Sequence, residues 1–244
     1  MNNYDINKQS TIETIALNYH GTEQRDIHIE NLCQQYEIEW LKKTLLFGSH
    51  VIDLGYGDGI ISPSLAEHCK VTVVEGSEEL CVRARAEMPE NSTVVHELFE
   101  NFHPQSQVDY VVASHVLEHV DDPVYLLDKI SKWIKPNGAL VVIVPNRESI
   151  HRRVARDLGM INDLDELSSR DHMVGHQRVY SLDKLVEHIT QVGFRVEEYR
   201  GFFLKPLANS QMIDWDVGLL KALNEVSSQL KAELCANLAV VARI

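Results

Sequence analysis

The sequence predicts an α/β fold built on a doubly wound sheet of seven strands. Two observations predict it. From residue 50 onward, short apolar runs rich in β-branched residues alternate with amphipathic stretches of helical length, as when strands buried on both faces are joined by covering helices. In addition, 244 residues that are 44 % hydrophobic suffice for one well-buried core with an appended segment.

Each element can be read in order. Residues 1–48 are polar, with apolar positions such as Ile12, Ile15, Leu32, Trp40 and Leu41 at a spacing that favours short amphipathic helices, so they are expected to form an N-terminal helical cap. The domain proper is expected over 49–244. It begins with a strand in "HVIDLG", a helix in "SPSLAEHC", a strand in "VTVVEG" and a helix in "SEELCVRARAEM". Strands follow in "STVVHELF" and "VDYVVAS", then a helix in "PVYLLDKISKWI", a turn at "KPNG" and a strand in "ALVVIVP". Residues 146–180 break this rhythm. They are charged and rich in Arg, Asp and His, and are expected to be an insert forming a lid over the sheet edge. A helix with a Ser N-cap in "SLDKLVEHITQVGF", a strand in "RVEEYRGFF", a helix around 216–232 and a strand in "ANLAVVARI" complete the count.

The turn "VIDLGYGDGIIS" carries the chemistry. Gly55, Gly57 and Gly59 lie between the first strand and its helix, where glycine lets the chain turn sharply and lets a nucleotide-like ligand approach the backbone. Ile60 replaces the last glycine of the dinucleotide fingerprint, and no Gly-Lys-Ser/Thr follows, so phosphate is not the expected guest. Asp53 would oppose a diphosphate but attract an ammonium. Glu75 ends the second strand, twenty residues after Gly55, where a carboxylate accepts hydrogen bonds from ribose hydroxyls. S-adenosyl-L-methionine has the ribose and the ammonium and lacks the phosphate.

Taken with "DLGYGDG", the ordered segments "VVEGS", "ELFENF", "VDYVVASHVLEHVDDP" and "KPNGALVVIVPN" give a sequence that resembles the class I S-adenosylmethionine-dependent methyltransferases over roughly residues 35–205 plus the closing strand. Its flavour is that of ubiquinone-biosynthesis O-methyltransferases and related small-molecule enzymes. The resemblance implies a Rossmann-like sheet whose last strand runs antiparallel. It also implies cofactor contacts from Asp53, Gly55, Gly57 and Gly59, with Tyr56 against the methionine portion. Glu75, Gly76 and Ser77 would form the ribose turn, Glu97, Leu98 and Phe99 the adenine loop, and Ser114 and His115 the border of the sulfur. His96 stands where the family more often has glycine.

The histidines of "SHVLEHV" admit several readings. His115, Glu118 and His119 match the H-x-x-E-H of inverted zinc peptidases, but that motif needs a long helix, and Asp121, Asp122 and Pro123 follow at once. The ubiquinone group has E-x-x-E-H here and its members can use a divalent cation; His115 replaces the first acid, and no metal is assigned. The chain's expected catalytic residues are His119, as base for the acceptor's proton, and His176 from the insert. His172, Arg178 and Tyr180 are candidates for the same substrate wall or for a solvated loop. Tyr19, His20 and Arg25 would either close over the cofactor or decorate the surface.

Phe202, Phe203 and Trp215 are expected in the core. The formal charge of −13 and a longest basic cluster of only "HRR" argue against nucleic-acid binding. Four scattered cysteines form no C-x-x-C pair, no apolar run reaches membrane-spanning length, and the amino terminus has no export pattern, so a cytoplasmic protein that binds no membrane is expected. The expected partner is a small-molecule methyl acceptor, with a homodimer left open. The rival readings are a nucleotide-cofactor oxidoreductase and a non-catalytic S-adenosylmethionine-binding protein.

Overall fold

The computed structural model describes residues 11–16 and 26–244. The described residues form seven strands: β1 (His50–Leu54), β2 (Lys70–Glu75), β3 (Thr93–His96), β4 (Val108–Ser114), β5 (Ile134–Pro145), β6 (Arg195–Phe202) and β7 (Asn237–Arg243). They form one sheet in the order β3-β2-β1-β4-β5-β7-β6. The first five pair in parallel, and β7 runs antiparallel to both β5 and β6. The winding therefore reverses between β1 and β4, and β1 to β6 all end at one edge. That reversal leaves a crevice outside the strand ends, where open α/β sheets bind their ligands.

Residues 11–16 form helix α1, followed by α2 (Ile27–Thr44), α3 (Ile61–Ala66), α4 (Glu78–Glu87), α5 (Pro123–Trp133), α6 (Ile150–Asp157), α7 (Ser169–Met173), α8 (Leu182–Gln191) and α9 (Val217–Ser227). The strands alternate their faces between two apolar layers. Val51, Val112 and Val141 pack with Leu41, Leu65 and Leu220 of α2, α3 and α9. Ile52, Val111 and Val142 pack on the other face with Leu126 of α5 and Leu185 of α8. Phe202 and Phe203 are buried as expected, and Trp215 packs partly buried against the first layer.

Local capping sets the helix starts. Asp122 accepts from the Tyr125 amide (2.9 Å) with Pro123 in the first turn, and the Ser77 and Ser181 hydroxyls accept from Leu80 and Lys184 (both 3.2 Å). Two expectations are corrected. The "KPNG" segment belongs to the irregular start of β5, where Asn137 turns left-handed (φ 74°) and the pairing shifts register between Val108 and Tyr110. The helix α9 stops at Ser227, short of 232, and a 3-10 turn, Ala232–Leu234, leads into β7. The "HVLEHV" stretch is a tight turn and no helix, because Asp122 and Pro123 start α5 directly after it. Among the described residues no helix is long and apolar enough to cross a membrane.

The 146–180 segment departs from the sheet and returns to it. Asn146 and Tyr180 form an isolated parallel bridge at its two ends, and α6 and α7 lie between them. Arg152 holds the segment together, donating to the Leu164 carbonyl (3.0 and 3.2 Å) and the Glu166 carbonyl. Gly175 lies against Ile15 of α1, where any Cβ would collide.

Candidate active site

A cavity of about 1540 Å³ occupies the carboxyl edge of the sheet. Single-ligand pockets measure roughly 300–1,000 Å³, so this volume admits two small ligands side by side. One half is built from β1, β2 and the loops that follow them, the other from β4, β5, the 146–180 insert and the segment after β6. Residues of α1 and α2, Ile12, Ile15, Ile29 and Cys33 among them, line it as well.

In the first half the glycine turn is pinned to β2, the Gly55 amide donating to the Val74 carbonyl (2.8 Å). Gly55 and Gly57 adopt φ of 83° and 55°; a Cβ on Gly57 would meet nothing within 4 Å, so it stands bare beside the cavity, whereas one on Gly55 would touch Phe99 (3.8 Å). Gly59 serves the turn itself: a Cβ there would lie 2.9 Å from the Tyr56 hydroxyl. Glu75 is buried, and its two oxygens accept from the amides of Tyr56 (2.8 Å) and Ser77 (2.7 Å), which aims the carboxylate and leaves lone pairs for a ligand's hydroxyls. Burial raises the Glu75 pKa, and the backbone amides oppose that rise. Asp53 is buried and accepts from the Ser62 hydroxyl (2.6 Å), and burial pushes its carboxyl up to about 7. An acid held this way is poised to ionise when a cation arrives.

Other expected cofactor residues are placed unevenly. Asp53, Gly55, Tyr56, Gly57, Glu75, Gly76, Leu98, Phe99, Ser114 and His115 lie on the wall; Gly59, Ser77 and Glu97 do not. Ser77 caps α4 and donates to Glu13 of α1 (2.7 Å), and Glu97 folds back to accept from the Leu98 amide (3.0 Å). The Tyr56 hydroxyl is held by Glu87 (2.6 Å). His96 closes on the Gly76 carbonyl (3.0 Å), which accounts for a side chain where glycine is commoner. Tyr19, His20 and Arg25 lie outside the described residues.

The second half centres on histidines. His115 takes a left-handed conformation (φ 55°), an uncommon strain for a residue with a side chain. That twist places its ring between two fully buried carboxylates, Glu37 of α2 (Nε2 to Oε2, 3.5 Å) and Glu118 (Nδ1 to Oε1, 3.4 Å). Burial by itself would lower the His115 pKa, but contact with Glu118 and Glu37 carries it well above the ordinary value, so it is an imidazolium at neutral pH. Glu118 is likewise held ionised, burial being outweighed by His115.

His119 and His176 meet edge to face with ring centroids 4.7 Å apart. Burial lowers the His119 pKa and His176 adds to the effect, while Glu118 opposes it; His119 is therefore a neutral, proton-accepting imidazole near pH 7. Asp171 holds His176 Nδ1 at 2.8 Å and is itself fixed by Ser168 in a capping box. Gln177 ties the insert to the β4–α5 turn, donating to the Glu118 and His119 carbonyls (2.8 and 2.7 Å). Ligand atoms of Glu118, His119 and His176 all lie within 4.8 Å of one another, a spacing a divalent cation would also accept.

His172, Arg178 and Tyr180 do not join this wall. His172 is exposed, Arg178 clamps the Leu117 (2.8 Å) and Val120 carbonyls, and Tyr180 is buried with its hydroxyl 3.4 Å from His188. Glu37, Asp171, His151 and Lys205 were not legible as site residues: the first sits in an ordinary amphipathic helix, and only the Asp171-x4-His176 spacing offered a faint signal.

Comparison with known proteins places this geometry. A family profile described as "Methyltransferase domain" matches residues 29–199. The chain is 24 % identical over 230 residues to the ubiquinone biosynthesis O-methyltransferase of Actinobacillus pleuropneumoniae serotype 5b, covering 89 % of this chain and 96 % of that one. It is 33 % identical over 127 residues to the Sodalis glossinidius enzyme of the same name, a match spanning half of that protein and 49 % of this chain. Among solved structures, a SAM-dependent methyltransferase of Thermotoga maritima, described as a possible histamine N-methyltransferase, superposes with a TM-score of 0.64 at 19 % identity, covering 95 % of this chain and 99 % of that one.

Proposed function

Because the chain belongs to the class I S-adenosylmethionine-dependent methyltransferases, with S-adenosyl-L-methionine as its cofactor, we propose that it methylates an oxygen or nitrogen of a small metabolite, using His119 as the base. The observation that carries this is the two-part cavity: a cofactor half without phosphate-binding features, adjoining a half where a neutral imidazole awaits a proton. S-adenosylmethionine, when bound, supplies a methyl group already activated on a sulfonium.

This chain's residues then have three tasks. Glu75 accepts from the ribose hydroxyls, Asp53 faces the ammonium, and Gly55 and Gly57 give the ligand room, with Leu98 and Phe99 as apolar walls for the adenine. Alignment of donor and acceptor contributes most of the acceleration expected for such a displacement. His119 takes the acceptor's proton, with Glu118 favouring the charge that develops, while His176, held by Asp171, packs against its ring and keeps it neutral beforehand. The α1–α2 region and the insert cover the cavity as cap and lid and exclude water from it. Reduced, buried cysteines suit the cytoplasm.

A divalent cation at Glu118, His119 and His176 is the weaker reading, because the His115 imidazolium already neutralises Glu118 and would repel it. Turnover is expected to survive EDTA. The main test is product analysis with methyl-labelled cofactor and a panel of hydroxyl and amine acceptors: labelled product and S-adenosylhomocysteine in equal amounts support the reading, and cofactor binding without transfer to any acceptor would leave only a binding protein.

A further inference from the structure

On the insert side of the cavity, one cation lacks a direct partner among the described residues. Arg152 is engaged by Asp171 (3.6 Å) and two carbonyls, and Arg170 by Asp26 (3.2 Å) and Glu30 (2.7 Å). Glu30 is satisfied a second time by the Asn209 amide (3.1 Å). Lys205 lines the same wall, and among the described residues it has neither an ion pair nor a hydrogen bond. Its backbone position is fixed by its neighbours: Phe203 turns left-handed (φ 60°) and accepts from the Ala236 amide (2.8 Å), and the Leu204 amide donates to the Leu223 carbonyl (3.2 Å). Burial lowers the Lys205 pKa, and the carboxylates of Glu30 and Asp26 oppose that fall without touching it; a ligand carboxylate in direct contact would stabilise the ammonium further.

His151 stands on the wall near it. The Nδ1 atom of His151 is buried with no hydrogen-bond partner, while the ring reaches the cavity by its remaining atoms. Burial, reinforced by Lys205, keeps this imidazole neutral. With Nδ1 unpaired, the tautomer protonated at Nε2 avoids an orphaned buried donor and leaves an N–H for the cavity. Ile29, Cys33, Ala155, Met160 and Phe203 give this end an otherwise apolar lining.

We propose that Lys205, assisted by His151, anchors a carboxylate of the methyl acceptor, so that the substrate class is a small, largely apolar carboxylic acid bearing the hydroxyl or amino group to be methylated. The assignment rests on the methyltransferase reading of the cavity. Its charge is single because Asp26 and Glu30 share the one guanidinium of Arg170 and already act on Lys205, so a second negative charge would face both carboxylates. It belongs to the acceptor and not to the cofactor's own carboxylate by topology. Lys205 issues from β6, three strands beyond β4, roughly 14 Å along the sheet at about 4.8 Å per strand, whereas the glycine turn follows β1.

The test is calorimetric binding to the full chain near pH 7, with and without saturating S-adenosylhomocysteine, using benzoate against benzamide and 3,4-dihydroxybenzoate against catechol. Each acid is expected to bind at least tenfold more tightly than its neutral partner. Lys205→Met should remove that preference, Lys205→Arg should restore most of it, and S-adenosylhomocysteine affinity should be the same in all three proteins. Equal binding of acid and neutral partner, no binding of either acid, or inorganic phosphate displacing benzoate would overturn the assignment. So would a loss of S-adenosylhomocysteine affinity in Lys205→Met, which would put Lys205 on the cofactor. The wild-type comparison stands even if a variant fails to fold. If S-adenosylhomocysteine does not bind while the acids still discriminate through Lys205, the cofactor reading fails and the anion site survives.

Discussion

At the scale of single residues, the cofactor half turns on two carboxylates whose settings differ. Glu75 is aimed by two backbone amides, so Glu75→Ala removes charge-assisted hydrogen bonds worth about 1.5–3 kcal/mol each and should weaken S-adenosylhomocysteine binding by about tenfold or more in calorimetry. Asp53 lacks such support and its carboxyl sits up at about 7. The ammonium of a bound cofactor favours the ionised form, so below pH 7 binding must first displace a proton. Affinity should therefore rise from pH 5.5 to 8, and Asp53→Asn should flatten that slope; a wild-type affinity independent of pH would contradict it. For His119→Ala, steady-state kinetics should show kcat lower by about 10²–10⁴-fold with cofactor affinity nearly unchanged. The sequence made Asp53, Glu75 and His119 legible because the first two sit at the ends of strands and the third in the turn that follows one. Lys205 and Glu37 escaped notice because their meaning depends on which partners they lack or share across the fold.

At the scale of elements, the β4–α5 turn is the most demanding piece. It is no helix, and its left-handed His115 is held between Glu37 of α2 and Glu118 of the turn, so one side chain joins the N-terminal helix to the sheet. Replacing His115 with Gln leaves two buried carboxylates without their cation and should cost about 3–5 kcal/mol in chemical denaturation. Since folding raises the His115 pKa above 6.5, the pairing contributes fully below that value and fades as pH rises through the folded one. The stability gap between wild type and His115→Gln should accordingly narrow on going from pH 6 toward pH 10. The 146–180 insert was legible as an interruption of the βα rhythm, and His176, named from the sequence as a candidate, lines the cavity. Its neighbours His172, Arg178 and Tyr180 look the same in composition, and only the path of the chain sends one outward, one to carbonyls and one into the core.

At the scale of the whole molecule, the reversal of winding between β1 and β4 makes one crevice with two ends, and this gives a simple global test. S-adenosylhomocysteine at a hundred times its Kd should stabilise the fold by about 2.7 kcal/mol. For a chain of this size that raises Tm by roughly 5–11 °C. A dinucleotide such as NAD should give no shift, and a shift of similar size would revive the oxidoreductase reading. The sequence by itself determined the seven strands and the glycine turn with its two acids, because these are local patterns: continuous apolar runs, helix caps and a turn that only glycine completes. The tertiary structure alone decided that Asp171 orients His176, that His115 bridges Glu37 and Glu118, and that Lys205 makes no ion pair among the described residues. The physical reason is that a charge's role is set by the groups around it, and the sheet brings those together from residues far apart in the chain.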